Sequence, residues 1–482
     1  MIIYHQKIMS LSPLCPKKRN KYRESFSMTK KKLTMYGVIF LLFFLLSTNP
    51  SKLFNQVWKE PIHKDILSNG LTILFQKDDA SAISVIQILI RGGKSADPEG
   101  KDGLAFMTTR ICLEIPDDRT LKKIMDQATQ LYMTCQSDFS LIQISCLSKN
   151  LEEALQTTIE NIRKPIISGI RIDKIKRIMS QRQDIENDDP ILIGHATARN
   201  IFFNNTPYAN SYYGTEESIK SIKKNDVKTF FDQYFHGSNI IVGVSSDQPY
   251  KSVITMLKEE FQEFPQGNTI TRSPIIPQEI PDKIIRFVEK DTLQSYISMV
   301  FQLPKLTSKN YVLVFLLENF IGKGIGSHLW PLRAEEKLAY NVNTRADLVP
   351  EGGFLEVYLE TDHKKRNLAT DELKKNIHTL YQKGLSGEEL LVAKKYAKST
   401  FFRQNETKEI RLQTITMFEA LGLGYQFLNS LPVELEALTL DEVNSFIKEY
   451  LSPEKGVIID VGPQSQTKTL KPLNDSRVEV AL

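Results

Sequence analysis

Cysteine is scarce. Cys15, Cys112, Cys135 and Cys146 are the only four in 482 residues, too few for a disulfide scaffold. None stands in a C-x-x-C pair, which argues against a zinc ribbon and a thioredoxin-type redox site. Histidine is scarce too. The seven are His5, His63, His195, His236, His328, His363 and His378, no two of them four or five apart, and none heads a His-Glu-x-x-His helix. A helix carrying its own zinc pair is therefore missing. Neither sign of charge dominates: 62 Lys and Arg against 57 Asp and Glu leave +5, too weak over this length to point to nucleic acid. Three glycines cluster at Gly322, Gly324 and Gly326, but no Gly-Lys-Ser/Thr follows, so a phosphate loop is not expected.

What is present is an ordinary globular composition, 41% hydrophobic and 25% charged, which excludes a collagen, a disordered tail protein and a polytopic membrane protein. At about 150 residues per domain the length allows two to four domains. Near the start, Lys30-Lys-Lys32 precedes the apolar run Met35–Leu46, and Ser47-Thr-Asn-Pro-Ser51 follows it. A basic flank before a short apolar core is an export signal pattern. The run falls short of the ~20 residues that cross a bilayer comfortably. Ser47-Thr48-Asn49 fits a cleavage site poorly, so Met35–Leu46 also reads as an uncleaved membrane anchor. The expected location is exported, periplasmic or anchored to the outer face of the cytoplasmic membrane. Residues 1–27 are polar and basic and precede Met28, a candidate start.

Beyond residue 60 the pattern is α+β and is written twice. Asn69-Gly70 opens a strand at Leu71–Phe75, and Ala82–Ile90 is a second strand. Helical periodicity runs through Leu151–Ile162 and Ile172–Gln183. Ile167-Ser-Gly-Ile-Arg-Ile-Asp-Lys-Ile-Lys-Arg returns in type as Leu385-Ser-Gly-Glu-Glu-Leu-Leu-Val-Ala-Lys-Lys, 218 residues later. Asp226–Phe235 returns as Glu442–Leu451, 216 residues later, and each is followed by an apolar strand, Asn239–Val244 and Gly456–Val461. A near-constant offset in matching order implies duplication. The expected organisation is an N-terminal extension with the signal or anchor segment at 1–51, homologous halves at 60–270 and 282–463, a hinge in the proline-rich Pro265–Pro281, and a disordered tail at 464–482. Each half should be a mostly antiparallel sheet covered by helices. Cys135 and Cys146 flank a hairpin; pairing in an oxidising compartment and two buried thiols both remain open.

Three segments carry a resemblance: Gly93–Leu104 with its Asp97-Pro-Glu-Gly-Lys-Asp-Gly-Leu104, Pro207–Ile219, and Gly322–Trp330 running into Pro331–Tyr340. In order and type they resemble the pitrilysin/insulinase metallopeptidases, most of all the branch of short, two-half chains that associate in pairs. The likeness spans about Asp65 to Gly462. In active members of that family a helix reads His-x-x-Glu-His; the histidines hold zinc and the glutamate is the general base on its water. Here the matching positions are Phe106, Thr109 and Arg110. Phenylalanine has no lone pair, and arginine stays protonated. At an effective dielectric of about 20, a unit charge at about 4 Å costs a cation about 4 kcal/mol, roughly twice that for a divalent ion. The family's last ligand, a glutamate on a later helix, falls on Arg182 when aligned on Asn187-Asp-Asp-Pro190, or on Glu186 after a small shift of register. One carboxylate does not make the three or four protein ligands zinc wants. His195, on a helical pattern, reads as a packed or surface histidine. No zinc is expected in this chain.

The second half keeps more of the family pattern. The resemblance implies that Arg333 and Tyr340 bind a peptide carbonyl, acting as oxyanion donors. They are seven apart, about two turns if one helix continues, which would set both on one side. The plainer alternative pairs Arg333 with Glu335 or Glu336 and packs Tyr340. Two readings follow. One is the non-zinc subunit of a heteromeric peptidase, with zinc in a homologous partner chain and a peptide as substrate. The other is a catalytically inert scaffold or peptide-binding subunit of an envelope complex.

Overall fold

The computed structural model describes Trp58 and residues 61–268, 270, 280 and 284–464. The candidate signal Met35–Leu46, most of the proline-rich hinge and the tail beyond 464 lie outside the described residues. The first half runs β1 (Ile62–Ile66), β2 (Thr72–Lys77), β3 (Ile83–Ile90), α1 (Leu104–Ile111), α2 (Asp118–Asp126), β4 (Gln130–Cys135), β5 (Ser140–Leu147), α3 (Leu151–Arg163), α4 (Gly169–Asp188), α5 (Pro190–Phe202), α6 (Glu216–Ser221), α7 (Lys224–Tyr234), β6 (Ile240–Ser246) and α8 (Tyr250–Phe261). The second runs β7 (Ile285–Glu289), β8 (Ser295–Leu303), α9 (Ser308–Gly322), α10 (Trp330–Ala334), β9 (Asn341–Val349), β10 (Gly352–Thr361), α11 (Arg366–Lys383), α12 (Gly387–Gln404), α13 (Lys408–Ala420), α14 (Phe427–Ala437), α15 (Leu440–Tyr450) and β11 (Val457–Gly462).

The duplication is a duplication of topology. The first sheet has strand order β1-β2-β6-β3-β5-β4 and the second β7-β11-β8-β10-β9, the same order without the first edge strand. In each, one pair is parallel, β2 with β6 and β7 with β11, and the other pairs are antiparallel. The repeated Ser-Gly marks the same event twice. Ser168 caps α4 by accepting from the Arg171 N–H, and Ser386 caps α12 by accepting from that of Glu389. Asp189-Pro190 then separates α4 from α5: Asp189 accepts the first free N–H groups of α5, and proline at the first position needs none. In the second half Thr407 caps α13 in the same way. Cys112, Cys135 and Cys146 are buried free thiols. Register keeps the latter two apart, since Cys135 faces Ser140 and Cys146 faces Ser84.

The halves hold each other by exchanging one helix. Helix α5 of the first half lies on β8, β10 and β11 of the second sheet. There Ala198, Phe202 and Phe203 join one core with Tyr296, Val300, Phe354, Val457, Ile459 and Val461. Helix α13 of the second half lies on β3 and β6 of the first sheet. Its buried Lys408 donates to the carbonyls of Asp78, Ser81 and Ile83 at 2.7, 2.7 and 2.9 Å. Arg411 donates to Gln76 Oε1 at 3.0 Å and pairs with Asp78. Each exchanged contact closes over a glycine. A Cβ on Gly194 of α5 would lie 2.1 Å from Tyr296 Cε1, and one on Gly243 of β6 would lie 2.5 Å from Thr416 Cγ2 of α13.

Gly194→Ala and Gly243→Ala should therefore each destabilise the chain by about 1–3 kcal/mol through overpacking. Gly387→Ala, where nothing lies within 4 Å of the added Cβ, is the control. Urea unfolding of the three variants checks this. Equal midpoints for all three would show that the exchanged helices do not close on these glycines.

Candidate functional site

The two first-half segments singled out by resemblance dock on each other around the start of α1. Asp97, buried, accepts from the N–H of Gly103 at 2.8 Å through one carboxylate oxygen and from that of Ala105 at 2.7 Å through the other. It thereby satisfies free donors at the start of α1. Lys94, also buried, donates to the carbonyls of Tyr208 and Asn210 at 2.6 and 2.7 Å. Asn210 donates to Asp102 at 2.6 Å, and Ser218 to the Asp102 carbonyl at 2.9 Å. The approach of the Pro207–Ile219 segment places Tyr213 against α1.

The positions that the resemblance matches to the metal ligands lie here, and an apolar contact holds the first of them. The Phe106 ring meets the Tyr213 ring edge-on at 5.0 Å, and Phe106 belongs to the core of the first half. Thr109 is fully buried, its hydroxyl donating to the Ala105 carbonyl at 2.8 Å. Arg110 turns to Glu114 at 3.1 Å, and Lys174 of α4 takes the other oxygen of that carboxylate at 2.6 Å. Arg182 is exposed on α4, which packs against α1. Burial, opposed by the Arg182 charge, raises the Tyr213 hydroxyl above its ordinary range. Glu186, the alternative ligand position, accepts from the Ser211 hydroxyl. Among the described residues no group of three or more His, Cys, Asp or Glu side chains is placed to hold a metal ion.

The second-half pair is arranged differently from the single helix its spacing allows. Helix α10 ends at Ala334. Lys337 then takes a positive φ of 54°, and the N–H groups of Leu338 and Ala339 return to the Leu332 carbonyl at 2.9 and 3.2 Å. The Tyr340 N–H donates to Glu360 at 2.8 Å, at the mouth of β9. The continued helix is thus replaced by a helix, a tight turn and a strand. Arg333 and Tyr340 stand at the two ends of that turn with buried Leu338 and Ala339 beneath it. Arg333 is exposed and lies over the Trp330 ring at 5.0 Å. No ion pair to Glu335 or Glu336 is found among the described residues. Tyr340 is 56% exposed, so packing does not account for it. Among the described residues no hydrogen bond, ion pair or ring contact joins this pair to Phe106, Thr109, Arg110 or Arg182.

Of the packed and surface readings of His195, the packed one holds: Nδ1 is 3.1 Å from Glu356 and Nε2 3.4 Å from Asp347, both on the second sheet. Sequence reading passed over Lys94, Asp97, Arg199 and Tyr212. Lys94, Asp97 and Tyr212 lie within the quoted segments, but a buried lysine or aspartate looks like a surface one until its partners are known.

A family model described as the peptidase M16 inactive domain matches residues 221–396. A curated protein of Helicobacter pylori named non-peptidase homolog YmxG is 26% identical over 398 residues, covering 80% of this chain and 91% of that one. A probable mitochondrial-processing peptidase subunit beta of Arabidopsis thaliana is 18% identical over 309 residues, 61% of this chain and 58% of that one. The crystal structure of a peptidase M16 inactive domain from Pseudomonas fluorescens superimposes with a TM-score of 0.76 at 17% identity, covering 85% of this chain and all of that one.

Two outcomes test this account of the site. Phe106→His, Thr109→Glu and Arg110→His combined should not create a zinc site, because Arg182 still stands where the resemblance puts the last ligand. Metal analysis of the purified variant should find no stoichiometric zinc, and one zinc per chain would contradict it. The second concerns Asp97. Burial pushes its carboxyl up to about 8, against the N–H groups of Ala105 and Gly103, which pull it down. The folded chain then binds a proton there that the unfolded chain has lost, so this group's contribution to stability falls as pH rises from about 4 to about 8. Melting curves of wild type and Asp97→Asn across that range should differ in slope, with the wild type losing more on the alkaline side. Parallel curves would contradict it.

Proposed function

We propose that this chain, which belongs to the pitrilysin/insulinase family as a member without the zinc motif, is the non-zinc subunit of a heteromeric peptidase. In this reading it binds peptide through Arg333 and Tyr340 beside a zinc-bearing homologous partner. The observation that carries the reading is the contrast between its two family motifs. The metal positions are closed by Phe106 on Tyr213, whereas Arg333 and Tyr340 stay presented on an exposed turn. Exposed on that turn, the Arg333 guanidinium and the Tyr340 phenol keep their N–H and O–H donors within reach of a ligand. Arginine supplies several N–H donors at fixed charge and tyrosine one O–H, both suited to a carbonyl oxygen that gains charge during attack by water. The zinc-bound water would belong to the partner chain.

The export pattern ahead of the described residues would put the assembly in the periplasm or on the outer face of the cytoplasmic membrane. The scaffold reading draws on the likeness to a protein named as a non-peptidase homologue. On that reading the exposed turn touches no substrate.

Arg333→Ala and Tyr340→Phe separate the readings. Each should leave folding and partner association intact and lower the turnover of the reconstituted pair by about 10²–10³, or roughly 3–4 kcal/mol. Arg333→Lys keeps the charge but loses the planar fork, and should also be impaired. The readout is steady-state cleavage of a quenched fluorescent peptide; wild-type rates from both variants would leave only the scaffold.

A further inference from the structure

The exchanged helix α5 carries two polar side chains on one face, His195 and, one turn on, Arg199. Arg199 is 4% exposed, and its Nε and Nη1 are buried without a hydrogen-bond partner. Its guanidinium lies over one side of the problem: 4.9 Å from the Tyr212 ring, which Lys94 Nζ also approaches, at 4.5 Å. A buried guanidinium and a buried lysine thus share one aromatic ring, and among the described residues neither has a carboxylate within ion-pair distance. Desolvated charge without a counter-charge is unfavourable. Burial first, and then the Arg199 charge, hold the Lys94 ammonium well below the usual lysine range.

The carboxylates nearby are engaged elsewhere. Asp347 is taken by His195 Nε2. Glu356 receives the Tyr296 hydroxyl, His195 Nδ1 and, at 3.6 Å, Arg345. Glu186 receives Ser211. Arg345 itself keeps Nε and Nη2 buried without a hydrogen-bond partner. Lys94, Arg199, His195 and Arg345 follow one another along a seam between the halves: the first two meet at the Tyr212 ring, Arg199 and His195 share one helix, His195 and Arg345 meet at Glu356, and Arg345 stands on β9, the edge strand of the second sheet. There Arg345, Asp347 and His195 are partly exposed.

We propose that this seam between the halves binds a small oxyanion, a carboxylate or phosphate group, received by the free N–H groups of Arg199 with Arg345 as the second donor. Such a group supplies acceptors for the planar N–H fork of Arg199 and a counter-charge that no carboxylate gives it at ion-pair distance. A water molecule supplies only the first. The site involves neither Arg333 nor Tyr340, so it stands or falls apart from the peptide-binding reading.

The test is thermal unfolding and calorimetric titration of the full chain at matched ionic strength. The probes are inorganic phosphate, and one short peptide with a free and with an amidated C-terminus. Wild type should be stabilised saturably by phosphate, by the free-acid peptide over the amide, or by both; the arm that responds identifies the source of the oxyanion. Arg199→Lys, which keeps the buried charge balance, should bind at least tenfold more weakly, and Arg199→Leu should show no saturable response. No response to any probe beyond that to chloride would overturn the proposal. So would unchanged affinity in Arg199→Lys, even if Arg199→Leu does not fold.

Discussion

Everything else in this molecule depends on the exchange of one helix between its halves. The central strands β3 and β8 bury side chains on both faces of their sheets, so each face needs a cover. Here each half covers one face of its own sheet and leaves the other to a helix from its twin: α5 reaches the second sheet and α13 the first. The contact is close because glycine takes the place of a side chain at each crossing. It is specific because Lys408 fills three carbonyls and Arg411 meets Gln76 and Asp78. A change that loosens one sheet therefore exposes the other, and the duplicated architecture should unfold as one cooperative system.

The same exchange shapes both polar features of the chain. By carrying α5 away from the first sheet, it lays His195 and Arg199 over Glu356, Asp347 and the Tyr212 ring. The segment after α5 then returns to the first half, where Lys94 holds it by two carbonyls and Tyr213 closes on Phe106. The loss of the metal motif did not leave a hole. An aromatic pair occupies the place, and Arg110 has found a carboxylate in Glu114.

Much of this was legible in the sequence, and the parts that were not have physical reasons. The repeated Ser-Gly segments and the strands after Asp226–Phe235 and Glu442–Leu451 announce themselves because each copy is a local pattern: a period and a turn need only neighbours. The exchange of α5 and α13 does not, since an apolar helix face looks the same whichever sheet it covers. The stretch Arg333–Tyr340 reads as helix because its residues are nearly all good helix formers. The pairing of β9 with β10, reached through the turn at Lys337, overrides that preference. Of the site, Phe106, Thr109 and Arg110 could be named only through the family resemblance, which matches them to its zinc helix. The partners that make Asp97 and Arg199 unusual lie far along the chain or in the other half, and no local pattern carries them.

The central claim is a division of labour between two homologous chains, and one mixing experiment addresses it directly. This chain and a zinc-bearing homologue from the same source are purified separately. Cleavage of an unfolded peptide is then followed while one is titrated into the other, with zinc measured on each. The account predicts little activity from either chain alone, a rise that saturates at one-to-one, and all the zinc on the homologue. Full activity of the homologue by itself, unchanged by this chain, would contradict it.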